Sequence, residues 1–128
     1  MAEELDRELF CRDWHTDWRA DPPLYGWATE LLIHAAEDQP DLAWSLILGL
    51  VKSADDDDAL GCVAAGPLEE LLCNHGVEFI DRVEVLAAAD ERFRRCLGGV
   101  WGSIGMDPTV YKRMCEAAPG KHAPDEHA

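Results

Sequence analysis

Proline sets the first constraint on how this chain can fold. It occurs at Asp21-Pro22-Pro23, Gln39-Pro40, Gly66-Pro67 and Asp107-Pro108. A proline removes a backbone donor and biases the residue before it away from the helix, yet it suits a first helical turn. Between these points apolar residues recur at helical spacing, and no segment alternates β-branched with polar residues. The expected fold class is therefore all-α. Residues 1–118 should form a single irregular domain of about eight short helices, with a short stack of antiparallel helical pairs as one arrangement. Residues 119–128 carry no apolar anchor and are expected to form a flexible tail.

The first helix is expected from Glu3 to Arg19, with Leu5, Leu9, Phe10, Trp14 and Trp18 on its apolar face. The second is expected from Leu24 to Glu37, with Trp27, Leu31 and Leu32 inward and His34 at the core boundary. The third, opened by Pro40, is apolar nearly all round and should be central. Trp44 and Ile47 on it, and Leu68 near it, are expected to be buried. Asp55 to Asp58 place negative charge at the start of a fourth helix, where the macrodipole favours it. Gly66-Pro67 reads as a helix boundary, with a left-handed glycine cap, and Gly76 reads as the next cap. Asp90 and Asp107 read as N-caps of the last two helices. The first of these should carry Phe93, Cys96, Leu97, Val100 and Trp101.

Charge narrows the function. The chain has 26 acids, 11 bases and a net charge of −15. Residues 20–91 hold sixteen acids and two bases, whereas residues 92–128 hold four acids and six bases. This balance argues against nucleic acid or an anionic membrane as direct ligand and favours a basic protein partner. The acidic start, Met1 to Glu8, is unlike a signal peptide, and the apolar run Leu46–Val51 is too short to span a bilayer. Five cysteines without a close pair suggest separate reduced thiols and a cytoplasmic protein.

The segment Ala64-Ala65-Gly66-Pro67-Leu68-Glu69-Glu70-Leu71-Leu72, followed by Phe93-Arg94 and Leu97-Gly98-Gly99-Val100-Trp101, resembles an uncharacterised bacterial family. That family, a domain of unknown function, carries an AAGPLE-x-LL … FR-x-x-L-x-x-V-W pattern, and the resemblance spans about residues 40–102. It implies a small helical protein and no particular activity. Physically, Glu69 falls in the first turn after Gly66-Pro67, where a carboxylate can meet free backbone N–H groups.

No catalytic motif is present: neither a Gly-x-Ser-x-Gly elbow, nor a phosphate-binding Gly-x-x-x-x-Gly-Lys, nor His-Glu-x-x-His. Cys11 and His15 have the spacing of half a zinc site, and Cys73 and His75 form another pair, but no Cys-x-x-Cys completes either. Asp55 begins an acidic run that fails as a calcium loop, because Ala59 and Leu60 stand at its fifth and sixth positions. No metal or cofactor is therefore expected. The partner-binding candidates are Asp55, Asp56, Asp57, Asp58, Glu69 and Glu70, with Trp14 or Trp18 as aromatic anchor.

The expected function is a non-enzymatic acidic protein that neutralises a basic partner, in the manner of an immunity protein against a bacterial toxin such as a nuclease. One alternative is a nucleic-acid mimic that inhibits a nucleic-acid-binding protein. Another is a small enzyme or metal protein using Cys11, His15 and Glu69.

Overall fold

The computed structural model describes residues 5–101 and 105–118. Seven α-helical segments and one π turn make up its regular structure, with no strand among the described residues. They are α1 (Arg7–Arg19), α2 (Trp27–Asp38), α3 (Pro40–Ser53), α4 (Asp57–Val63), the π turn (Ala64–Leu68), α5 (Glu69–Ala89), α6 (Glu91–Leu97) and α7 (Pro108–Ala117). The fold is all-α. The expected start at Glu3 and the tail 119–128 lie outside the described residues.

Local side-chain chemistry starts most helices. Asp6, Asp56, Asp90 and Asp107 each cap an N-terminus by accepting backbone N–H groups two or three residues on. Pro40 and Pro108 occupy the first turns of α3 and α7. A single apolar cluster joins all the helices. Phe10 and Trp14 of α1, Leu32 of α2, Leu46, Ile47 and Leu50 of α3, Phe79 of α5 and Phe93 of α6 lie within it. The long α5 packs against α2, α3, α6 and α7.

Two expected boundaries are absent. Val63, Leu68 and Glu69 are all right-handed helical, so Gly66-Pro67 does not end a helix. The chain passes through it as a π turn, and six continuous rods result instead of eight helices. A π turn tolerates the proline because the wider loop relieves the clash with the preceding carbonyl. At Gly76 the helix also continues, and the irregularity falls one residue earlier, at His75 (φ −137°, ψ 27°). There α5 bends, and its side chains reach the end of α2: His75 Nε2 donates to Glu37 O at 2.9 Å and Asn74 Nδ2 to Ala36 O at 3.5 Å. Carbonyls at the C-terminus of α2, which have no partner within their own helix, are satisfied this way.

Several burial expectations also change. Ile47 and Leu68 are fully buried, but Trp44 is half-buried, its ring packed between Phe79 and Phe93. Trp27 faces outward, 45% exposed, because its indole N–H reaches Asp13 Oδ2 at 2.8 Å. His34 lies exposed beside Glu30 rather than at the core boundary. Helix α6 stops at Leu97, so Trp101 lies beyond it and is exposed, while Val100 remains buried.

The basic C-terminal part folds back onto the acidic middle. Arg92 Nη1 donates to Ala54 O at 2.6 Å and Val51 O at 3.2 Å, at the end of α3. Arg94 does the same for Ala87 O near the end of α5, at 2.6 Å. Both place a cation where the helix macrodipole is negative. Arg113 bridges Asp81 and Glu84, at 2.7 and 2.6 Å. The hydrogen bonds from Arg113 hold the Glu84 carboxyl below its ordinary pKa, and those to Glu84 and Asp81 raise that of Arg113.

Candidate functional site

The four-aspartate run is the most acidic stretch of the sequence, yet much of its charge is answered within the fold. Arg19, at the end of α1, lies 3.7 Å from Asp55 and 3.6 Å from Asp56. Arg95 lies 3.3 Å from Asp57. Asp56 is also committed to the N-cap of α4. Among the described residues Asp58 alone of the four has no basic partner. Exposed pairs of this kind are worth at most about 1 kcal/mol each, but they lower the field that a partner meets.

Glu69 and Glu70 stand differently. Neither forms an ion pair among the described residues, and Glu70 accepts only a 3.4 Å hydrogen bond from Asn74. Both line a cavity of about 290 Å³ between α1, α2 and the π turn. Its walls are the aromatic side chains of Trp14, Trp18 and Tyr25 and the aliphatic side chains of Leu32 and Ile33, closed by Ala65, Gly66 and Pro67. Among the described residues no basic side chain lines it. Two of its lining residues carry polar atoms that are buried without a hydrogen-bond partner among the described residues, Trp18 Nε1 and Thr29 Oγ1.

The two anchor candidates separate. Trp14 is 1% exposed and belongs to the core, so it cannot serve as a free anchor; its ring lies 5.5 Å from that of Trp18. Trp18 is half-buried and forms part of the cavity wall. Exposed apolar side chains instead stand at Leu24 (57%) and Tyr25 (67%), neither of which was a binding candidate, and Tyr25 lines the cavity. The available signal was their place just after Asp21-Pro22-Pro23, where an apolar run leaves a loop without a helix to bury it.

Cys11, His15 and Glu69 are not brought together. Cys11 and His15 line an open groove of about 610 Å³ between α1 and α3, beside Arg7, Arg12, Arg19 and Lys52. Glu69 lines the other cavity. Burial raises the Cys11 thiol above its ordinary pKa, which disfavours the thiolate. Burial also lowers the pKa of His15, whose Nε2–H donates to Leu50 O at 3.2 Å. No group of three or more metal-capable side chains occurs among the described residues. The five cysteines are unpaired; Cys96 is buried, its thiol pushed up to about 12, and the other four are half-buried. No described helix is long and apolar enough to cross a membrane.

The pattern of DUF6869, a family of unknown function, matches residues 15–121. The chain belongs to this family. The matched region contains α2 to α7, and a family of unknown function is consistent with the expected uncharacterised domain. Of the cavity's lining residues named above, all but Trp14 therefore lie inside the family region. No curated protein and no solved structure matches the chain.

Proposed function

We propose that this family member is a non-enzymatic binding protein that neutralises a basic protein, acting as an immunity protein against a toxin such as a nuclease. The observation that carries the reading is the pair of unneutralised carboxylates, Glu69 and Glu70, at a cavity that also has the exposed ring of Tyr25 on its wall. Aromatic side chains are the usual anchors of protein interfaces, and unpaired acids steer a basic partner towards them. The net charge of −15 extends that steering beyond the contact itself. A protein acting on nucleic acid needs a basic cleft, which is the surface such a site complements.

The test is co-expression with the product of the neighbouring reading frame, followed by binding kinetics at several salt concentrations. Rescue of growth, with an on-rate that falls steeply as salt rises, supports the reading. Replacing Glu69 and Glu70 by Gln should slow association and flatten that salt dependence. Replacing Asp55 to Asp58 by Asn and Ser should have a smaller effect, since Arg19 and Arg95 already answer part of their charge. A partner with an acidic contact surface, or an on-rate indifferent to salt, overturns it.

A further inference from the structure

The cavity between α1, α2 and the π turn is small. At about 290 Å³ it lies at the lower edge of the range of about 300–1,000 Å³ typical of drug-sized ligands, with room for one long side chain. The chemistry of its walls is two-sided. Leu32, Ile33 and Pro67 offer apolar surface, Trp18 and Tyr25 offer aromatic surface, and Glu69 and Glu70 supply the only formal charges among the described residues that line it. An apolar stem that ends in a cation satisfies all three, because aromatic faces and carboxylates both attract a cation. A purely apolar occupant leaves the carboxylates unanswered, and an anion is repelled by them. The orphaned Trp18 Nε1–H and Thr29 hydroxyl add a further requirement. Buried polar groups are nearly always paired, and an unpaired one costs about 1–3 kcal/mol. Both atoms are covered in the unoccupied chain, so an acceptor carried by a peptide reaches them only as the wall opens around the occupant.

We infer that this cavity receives a lysine or arginine side chain presented by the basic protein partner, with the stem on Leu32, Ile33 and Pro67 and the charged head at Glu69 and Glu70. The inference rests on the binding reading above and specifies its anchor. It also gives the π turn a purpose. Ala65, Gly66 and Pro67 form one wall, and an ordinary α-helical path would place these three residues differently.

The test uses the full chain, labelled with ¹⁵N, and synthetic peptides of defined chemistry. The peptide N-acetyl-Ala-Lys-Ala-amide and its arginine counterpart should shift the Trp18 indole and Thr29 amide resonances saturably. The norleucine counterpart, which keeps the stem and lacks the charge, should bind at least tenfold more weakly. The double variant Glu69→Gln/Glu70→Gln should lose at least tenfold in affinity for the lysine peptide. Ala65→Phe, at an exposed lining position, should block the cavity while the remaining spectrum reports an intact fold. Equal binding of the norleucine peptide, shifts confined to other residues, or affinity unchanged in both variants overturns the inference. Tighter binding of cadaverine than of the lysine peptide also overturns it, by assigning the cavity to a free amine. These readouts need no toxin. Failure here with salt-dependent partner binding intact removes the anchor alone, whereas loss of partner binding removes the broader reading.

Discussion

Replacing Gly76 by Ala sets two known effects against each other. Gly76 is buried in α5 just after the bend at His75, facing α7. A Cβ there would lie 2.9 Å from Val110 Cγ1 and 3.4 Å from Cγ2. Val110 is 2% exposed and cannot swing into solvent. Helix propensity favours Ala over Gly by about 1 kcal/mol, whereas overpacking a close-packed contact costs about 1–3 kcal/mol. The net expectation is a destabilisation of about 1 kcal/mol. Val110→Ala alone should cost about 1.5–3 kcal/mol through lost burial and a small cavity. In the double variant the clash disappears and the propensity gain remains, so the two changes should couple favourably by about 1–3 kcal/mol. Urea unfolding of the four proteins measures this, provided the slope against denaturant is unchanged. A Gly76→Ala variant as stable as the parent, with no coupling to Val110→Ala, would refute the claim that this glycine exists to let α7 approach.

Four further outcomes are expected. Trp14→Ala should cost about 3–5 kcal/mol in chemical denaturation, because the indole lies in the core. Asp90→Ala should cost about 1 kcal/mol by the same measurement, because its carboxylate accepts the N–H groups of Arg92 and Phe93 at 2.9 and 3.1 Å. His15 has its folded-state pKa depressed by burial, so its contribution is present above its ordinary value and is lost as pH falls through the lower folded value. Stability measured from about pH 7 downward should therefore fall less steeply in His15→Gln. Gly66→Ala should cost about 1–3 kcal/mol while Pro67 is present, since a Cβ before proline disfavours helical backbone. With Pro67 replaced by Ala, the same change should become stabilising, and thermal melts of the four combinations decide it.

The features legible in the sequence are those governed by neighbours within three or four residues. Asp90, Asp107, Pro40 and Pro108 mark helix starts because capping and fixed φ act locally. The apolar stripe of α1 correctly places Phe10 and Trp14 towards the core. Which aromatic stays outside is not a local matter. Trp27 turns outward because Asp13, fourteen positions earlier, accepts its indole N–H. How far the charge of Asp55 to Asp57 is answered is equally a long-range matter, since Arg95 lies thirty-eight positions from Asp57. The site was half legible. Glu69 and Glu70 were candidates for their charge, but Tyr25 and Thr29 become relevant only once α2 packs beside the π turn.

Gly66-Pro67 shows why a local rule can hold energetically and still fail as a boundary. Proline withholds a donor and crowds the carbonyl of the preceding turn, so an α-helix loses stability there. Here Pro67 is buried between Ala64 and Leu68, and both of those are buried as well. Ending the helix would expose that surface, whereas a π turn retains it and relaxes the crowding. Gly66 fits the same account. A Cβ there would meet nothing within 4 Å, so the absent side chain is explained by the proline that follows and not by lack of space. The residues that first suggested a helix boundary are thus the ones that carry the rod through, and in doing so they form the wall opposite α2. The wall places Glu69 and Glu70 at the cavity with no counter-ion among the described residues, and that lack is the ground for proposing a cation as its occupant.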